Sequence, residues 1–477
     1  MVIGGGIAGL ASAYNLAKNS AGLESRPQIV LLEAADQWGG KMITTLHDGF
    51  VVEGGPDTFL ATKPWAVQLC RELGIAERLQ GTNPEQRSTY VLKDGRLEPL
   101  SDGLTMMIPT DFGSMIRTQL LSWPQKARMG LDFLLPPQPP NGDESLGAFV
   151  TRRLGRAAYE RLIEPLMSGI YAGDGDQLSL KATFPYLRDL EREHGGLVKG
   201  ALYTRRQRAK SRPAAGQTAG RSRSVFLTPR AGLQEIVQAL VDYLTAHGAD
   251  LRLGAAAQAV TRRDEGYIVT LQGGEQITAD GVALATPAYV TGRLLRGLDA
   301  ELADDLTAIP YASTATVSLA YRAEDLARPL DGYGYVIPRR EGRKALACTW
   351  TSTKFPHRAP EGHALLRVFI GRAGQDLDLS TDEQALLEIA LEEVRLTLGI
   401  KAPPLAQWVF YWDRAMPQYN LGHPQRLERI ENRLAEWPGL ALAGNGYRGI
   451  GIPDCIYSGE QAAAALLAAV APEKTLA

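Results

Sequence analysis

The chain has 477 residues, 45% apolar, 22% charged and 7% aromatic; Lys plus Arg number 51 and Asp plus Glu 53, a formal net charge of −2. That balance excludes a disordered or collagen-like chain and the basic surplus of a dedicated nucleic-acid binder. At roughly 150 residues per domain, about two to four domains fit.

Met1-Val2-Ile3 runs directly into Gly4, without the cationic and apolar regions of a signal peptide. This lead is short beside the roughly 5–6 residues of a usual strand, so the chain is expected to begin inside its first strand. Gly4-Gly5-Gly6-Ile7-Ala8-Gly9 fits G-x-G-x-x-G. The pattern is weak alone, but its context is specific. A helical pattern follows (Leu10, Ala13, Tyr14, Leu16, Ala17), then Pro27 and the apolar run Ile29-Val30-Leu31-Leu32, which ends at Glu33. This is a β-α-β unit. The first glycine permits the turn, the second lets backbone approach a pyrophosphate, and the third lets the helix pack close. The helix N-terminus meets phosphate, and the Glu33 carboxylate suits a ribose diol.

Such a unit serves NAD or FAD. Ala34-Ala35-Asp36-Gln37-Trp38-Gly39-Gly40-Lys41 then adds a second glycine turn with a cation, where a longer dinucleotide runs on toward a flavin. Two distant segments agree. Ala283-Leu284-Ala285-Thr286-Pro287 is a strand ending in a small-residue turn. Leu440-Ala441-Leu442-Ala443-Gly444-Asn445 is another, followed by Gly449-Ile450-Gly451-Ile452, Pro453-Asp454 and a helix from Ile456 to Val470. Pro453 and Asp454 suit a first helical turn. One FAD touched by three segments explains all three.

Between these segments the periodicity changes. Residues 63–79 read as a helix, 100–200 as mostly helical, and Tyr90-Val91-Leu92 with Arg96-Leu97 as a hairpin around Lys93-Asp94-Gly95. Pro136-Pro137-Gln138-Pro139-Pro140-Asn141-Gly142 interrupts the helical region before a helix from Leu146 to Leu154. Strands are expected at Thr314 to Tyr321, Tyr333 to Ile337, Ala345 to Trp350 and Leu365 to Gly371, and a helix from Thr381 to Leu398. From His194 to Gln234 there is no acid but nine cations, among them Lys199, Arg205, Arg212, Arg221 and Arg223; the stretch reads as a solvated loop or an anion-attracting site. The expected class is α/β (α+β overall). A Rossmann-like FAD-binding domain (1–85, 226–292, 437–477) is joined by a helical insertion (99–225) and a mixed-sheet substrate domain (86–98, 293–436).

Cys70, Cys348 and Cys455 are widely spaced and odd in number, which predicts neither a disulfide framework nor a zinc knuckle and suggests a cytoplasmic setting. His47, His194, His247, His357, His363 and His423 show no ligand spacing, so no metal is expected. Met106, Met107, Ile108, Phe112, Met115 and Ile116 are apolar enough for a peripheral membrane surface or for a buried subdomain.

Five further motifs carry a resemblance: Gly54-Gly55-Pro56-Asp57-Thr58-Phe59; Ile170-Tyr171-Ala172-Gly173 with Gln177-Leu178-Ser179; Thr228-Pro229-Arg230-Ala231-Gly232-Leu233; Ala415-Met416-Pro417-Gln418-Tyr419; and Gly446-Tyr447-Arg448 through Ile456. In this order they resemble the oxygen-dependent porphyrinogen oxidases of haem synthesis, which act on protoporphyrinogen IX or coproporphyrinogen III within the FAD-linked amine oxidase superfamily. The resemblance implies one non-covalent FAD. Its contacts would be Gly4, Gly5, Gly6, Ile7, Ala8, Gly9, Glu33, Ala34, Lys41, Gly55, Pro56, Asp57, Thr58, Ala257 (where the family usually has valine), Trp412, Ile450, Gly451 and Ile452. It implies a substrate wall of Gly169, Tyr171, Tyr333, Gly334, Val336 and Phe369, and no polar catalytic residue, since flavin N5 takes the hydride. Porphyrinogen and O2 would be the reactants. Peripheral membrane contact, homodimerisation and hand-over to the next haem-pathway enzyme stay open, as does the choice of porphyrinogen. The rivals are an amine oxidase or carotenoid desaturase of the same superfamily, and a non-catalytic flavin-binding partner protein. Tyr171-Ala172-Gly173 favours the porphyrinogen oxidases over the desaturases.

Overall fold

Five short parallel strands make the central sheet of the computed structural model, in the order Asp250–Arg252, Val30–Leu32, Val2–Ile3, Val282–Leu284, Leu440–Leu442. The structure describes residues 1–20, 26–100, 104–105, 108–109, 112–138, 142–210, 224–375 and 382–470. The central strands are apolar throughout because both faces are covered, as a parallel sheet requires. Val2, Leu31, Ala283 and Ala441 turn toward one core with the helices Ile7–Asn19, Gln234–Ala246 and Ile452–Val470. Their neighbours Ile3, Leu32 and Leu284 turn toward a second core. The first core is tight: a side chain at Gly459 would stand 2.4 Å from the Ala8 carbonyl oxygen, so the first and last helices touch backbone to backbone.

The second core gathers the antiparallel sheet Ala257–Arg262, Tyr267–Leu271, Gln276–Ala279 and the helices Ala288–Leu295, Ala300–Thr307 and His423–Leu434. The boundaries expected at 292/293 and 436/437 therefore cut one packed layer. The helices 300–307 and 423–434 belong by packing to the central sheet.

A seven-stranded mixed sheet stands beside this body, in the order Ala406–Pro417, Tyr311–Arg322, His363–Ile370, Ala345–Trp350, Gly332–Val336, Ser88–Lys93, Arg96–Pro99. Val317, Leu319, Leu366 and Val368 pack against the helix Glu383–Leu398. The alternate residues, Thr316, Ser318, Arg367 and Phe369, face the other way because strand side chains alternate. A helical insertion (Leu146–Leu154, Glu164–Tyr171, Pro185–His194, Leu197–Lys210) closes the third side around Phe149, Leu162, Met167 and Leu197.

Several expectations shift. The helix read over 63–79 spans only Pro64–Glu72, because Gly74 (φ +74°) turns the chain into the strand Leu79–Gly81. The last helix starts at Ile452, four residues early. The strand Ala406–Pro417 and the helix His423–Leu434 were not expected, although Leu427, Ile430 and Leu434 recur at helical spacing in the second. Ile108 and Met115 are buried and Ile116 is exposed; Met106 and Met107, like Pro139, Pro140, Asn141 and the basic centre with Arg212, Arg221 and Arg223, lie outside the described residues. Among the described residues no helix is long and apolar enough to cross a membrane.

Candidate functional site

The first glycine turn divides its labour by position. Gly4 leaves the strand at φ +108°, a conformation that favours glycine. A side chain at Gly9 would lie 1.8 Å from the Gly4 carbonyl oxygen, so the helix can approach only with glycine there. At Gly6 a side chain would meet nothing within 4 Å, so the space in front of the helix N-terminus is open. Gly5 donates its N–H to Glu33 Oε2 at 2.6 Å, and Ala35 donates to Oε1 at 2.9 Å. Half-buried Glu33 is thereby oriented at the strand end, with Ala34 exposed beside it. Ala255 donates to the Glu33 carbonyl at 2.8 Å, which brings the start of the Ala257–Arg262 strand to the same end.

The second glycine turn folds onto the first. Gly39 donates to the Gly5 carbonyl at 2.9 Å, and a side chain at Gly40 would sit 3.3 Å from Gly6 Cα. Lys41 follows, half-buried, with no partner for its ammonium among the described residues. Burial lowers its pKa, though the nearby Cys455 opposes the shift. An open glycine cradle at a helix N-terminus beside an unpaired cation fits a pyrophosphate. Beyond it, a side chain at Gly55 would stand 2.0 Å from the Lys41 carbonyl oxygen, so the 54–58 loop continues the same track.

This loop is pinned by its carbonyl groups. The Gly54 oxygen accepts from Thr316 Oγ1 and Trp412 Nε1, both at 2.9 Å. The Gly55 oxygen accepts from Arg367, and the Asp57 oxygen accepts from Arg358 at 3.1 Å. The Asp57 carboxylate pairs with Lys354 at 2.9 Å and accepts from Thr58 Oγ1 at 3.1 Å. Burial would raise the Asp57 carboxyl, but Lys354, Arg367 and Arg358 outweigh it and hold it well below the usual range. The N–H groups of Gly55, Asp57 and Thr58 have no partner among the described residues.

The last helix arrives opposite. Ile450 and Gly451 are half-buried and Ile452 is buried at its N-terminus. Asp454 in its first turn holds Lys63 through both oxygens at 2.6 Å. Cys455 is buried, and burial pushes its thiol up to about 12, which makes it inert packing.

The expected substrate wall is assembled only in part. Across the seven-stranded sheet, Val336, Ala347, Phe369, Thr316 and Phe410 stand in one row on the face that meets the loop. Val336 and Ile450 pack on the core of the helical insertion. The helix Glu164–Tyr171 ends at Ala172 in the left-handed region (φ 47°). Ala373 donates to the Ala172 carbonyl at 2.7 Å and Gln418 Nε2 to the Tyr171 carbonyl at 2.9 Å, which ties this turn to the sheet. Gly169 is exposed, with open space where a side chain would be. Three expected residues are placed otherwise. The Tyr171 ring packs edge-on to Phe184 and Tyr419 at 5.7 and 6.1 Å inside the insertion core. The Tyr333 hydroxyl is used by the Asn83 carbonyl at 2.7 Å. Gly334 (φ +128°) is a glycine because a side chain would come 2.1 Å from the Cys348 carbonyl oxygen.

Sequence reading missed Thr316, Lys354, Arg358, Arg367 and the buried Glu53. The signal available was indirect: Glu53 and Asp57 lie in an apolar stretch, and buried acids require cations.

The chain matches the model for the flavin containing amine oxidoreductases over residues 7–467. It is 35% identical to the coproporphyrinogen III oxidase of Bacillus subtilis (strain 168), covering 97% of this chain and 96% of that protein. It is 36% identical to the coproporphyrinogen III oxidase of Propionibacterium freudenreichii subsp. freudenreichii, covering 100% and 93%. A solved Exiguobacterium sp. 255-15 protein named as a protoporphyrinogen oxidase superposes with a TM-score of 0.84 at 33% identity, covering 98% and 97%. The open cradle, the unpaired cation and these full-length likenesses agree: the chain belongs to the flavin-containing amine oxidoreductase family, and it is an FAD-dependent oxidoreductase.

Proposed function

We propose that this chain oxidises a porphyrinogen to the porphyrin in haem biosynthesis, with coproporphyrinogen III as the preferred substrate and O2 as the final acceptor. The observation that carries the reading is the full-length identity to bacterial coproporphyrinogen III oxidases, together with the apolar row of Val336 and Phe369 on one face of the mixed sheet. FAD, when bound, supplies the two-electron acceptor. In this reading the Gly4 to Gly9 turn, Lys41 and the N-terminus at Ile450 to Ile452 hold its phosphates and ribityl chain. Glu33, Ala34 and Ala257 bound the adenosine end, and Gly55 to Thr58 with Trp412 hold the flavin end.

The chain's own work is positioning and exclusion of water. Val336 and Phe369 offer a flat apolar surface, and free carbonyl groups in the last turn of the helix Glu164–Tyr171, at Gly169, offer acceptors to pyrrole N–H groups. Six electrons leave in three two-electron rounds, each balanced by one O2 reduced to H2O2. The acid-free cationic stretch 194–234 suits a substrate with four carboxylates over one with two.

The test is purification with FAD, followed by parallel assays on coproporphyrinogen III and protoporphyrinogen IX under air. Red porphyrin fluorescence and peroxide are expected, faster with coproporphyrinogen III. Neither product from either substrate would overturn the function, and a preference for protoporphyrinogen IX would overturn the substrate choice.

A further inference from the structure

Beneath the 54–58 loop lies a buried group of charges. Arg367 is 2% exposed, Arg358 0% and Glu53 2%. Arg358 pairs with Glu53 at 2.9 Å, and Lys354 pairs with Asp57 at 2.9 Å. Arg367 makes no ion pair. One of its terminal nitrogens donates to the Gly55 carbonyl, while Nε and Nη1 are buried without a hydrogen-bond partner among the described residues, and the guanidinium lies 4.8 Å from the centre of the Phe369 ring. Three cations thus face two carboxylates.

A buried charge with no counter-ion is costly, and the common escape is to neutralise it. Here burial lowers Arg367 only to about 10, so it stays charged at neutral pH. Burial pushes Glu53 up, and its protonation would only enlarge the positive excess. Burial and the neighbours Arg358 and Arg230 lower His357 to about 4, so it is neutral near pH 7. The other charges at this end, Lys41 and the Lys63–Asp454 pair, bring no negative surplus.

The charge lies where the dinucleotide track ends. Glu33, Gly5, Gly6, Gly40, Lys41 and Gly55 follow one another, each next to the one before in the chain or in contact with it. A long dinucleotide starting at Glu33 therefore reaches the 54–58 loop with its ring end. Thr316 and Trp412 hold the Gly54 carbonyl toward the sheet and Arg358 holds the Asp57 carbonyl, so the N–H groups of the same two peptide units, those of Gly55 and Thr58, point the other way without a partner among the described residues. Arg367 holds the Gly55 carbonyl, whose peptide unit ends in Pro56 and carries no N–H.

Resting on the FAD reading above, we propose that Arg367 is a positioning residue whose charge, unpaired by any carboxylate and set beside the free N–H groups of the loop it anchors, stabilises the negative charge that the isoalloxazine gains on reduction. A hydride brings two electrons and one proton to the neutral oxidised ring and leaves it with one negative charge. The substrate, left with one positive charge, sheds an N–H proton. The cluster is the electrostatic complement of that single charge and prepares it before substrate binds.

The test is an anaerobic pH titration of the dithionite-reduced holoenzyme by absorbance, paired with a measurement of the flavin midpoint potential. The wild-type ring is expected to stay anionic well below the pH at which free reduced FAD protonates. Arg367→Met and, independently, Lys354→Met (which touches no loop carbonyl) should lower the midpoint potential and raise the proton affinity of the reduced ring about tenfold or more. Arg367→Lys should restore most of both. A wild-type ring that protonates as free FAD does would overturn the proposal. So would Met variants that bind FAD stoichiometrically with unchanged potential and proton affinity. If Arg367→Met holds no FAD, the wild-type titration and Lys354→Met decide. A wild-type chain that takes up no FAD would instead overturn the function on which the proposal rests.

Discussion

The Trp412 indole N–H donates to the Gly54 carbonyl oxygen at 2.9 Å, joining residues 358 positions apart. The same oxygen accepts from Thr316 at 2.9 Å, so two strands of the seven-stranded sheet grip one point of the 54–58 loop. Trp412→Phe keeps an aromatic ring and removes the donor. The loss should be about 0.5–1.5 kcal/mol of loop order, because Thr316 still satisfies the oxygen. Trp412→Phe with Thr316→Val leaves that carbonyl buried and unpaired, so the pair should cost more than the sum of the singles. FAD titration of apoprotein by flavin fluorescence checks both, with affinity falling in that order.

Gly6 and Gly9 should separate binding from folding. A methyl group at Gly9 would sit 1.8 Å from backbone and cannot be absorbed by a side-chain shift, whereas at Gly6 it meets nothing within 4 Å. Gly9→Ala should destabilise the apoprotein by about 1–3 kcal/mol, the range for overpacking. Gly6→Ala should leave apoprotein stability unchanged and weaken FAD binding by at least tenfold. Urea denaturation without cofactor, beside FAD titration, distinguishes them.

Arg153 and Asp132 are both fully buried and meet at 2.6 Å in the helical insertion. Asp132 also accepts the Val198 N–H at 2.8 Å, and Arg153 caps the Gly195 carbonyl at 3.0 Å. Removing one partner strands a buried charge. Arg153→Met should cost about 3–5 kcal/mol, and proteolysis of the variant should start within the insertion. Arg153→Met with Asp132→Leu should recover part of the loss.

His423 is 1% exposed, stacks on Tyr419 at 4.3 Å and shares Nε2 with the Tyr447 carbonyl at 2.9 Å, while Nδ1 has no partner. Burial, chiefly, lowers its pKa from 6.5 to about 4. The unfolded chain therefore binds more protons between those values, so stability rises with pH through this window and levels off above it. Burying a group that charges in the unfolded chain lowers stability at pH 4 by up to about 3 kcal/mol relative to pH 7, where the imidazole is neutral in both states. His423→Gln should flatten the acid limb of the stability curve measured by denaturation between pH 4 and 7.

The helix, the strands and the cofactor turn at the N-terminus were legible because their requirements are local. Gly4, Gly6 and Gly9 must sit at fixed spacing between an apolar run and a helical one; in the structure Gly4 leaves the strand at φ +108°, Gly6 has open space beside it and Gly9 lies against the Gly4 carbonyl. The strand Ala345–Trp350 and the helix Leu146–Leu154 were legible to the residue for the same reason. Other positions depended on what the chain meets far away. Gly334 looked like a substrate contact, yet its lack of a side chain answers to Cys348 on the next strand. Tyr171 looked like a ring over the substrate, and it packs inside the insertion. An apolar pocket and an apolar core use the same residues, so periodicity alone does not separate them.

The amino-acid sequence by itself determined the strand-helix-strand unit around the first glycine turn and the class of cofactor, since both rest on period, glycine placement and end signals within a few dozen residues. Only the tertiary structure decided which side chains grip the cofactor loop. Thr316, Arg358, Arg367 and Trp412 reach residues 54–57 from 262, 301, 312 and 358 positions away. Those pairings follow from strand register and from the need to satisfy buried carbonyls and carboxylates, which no local pattern records.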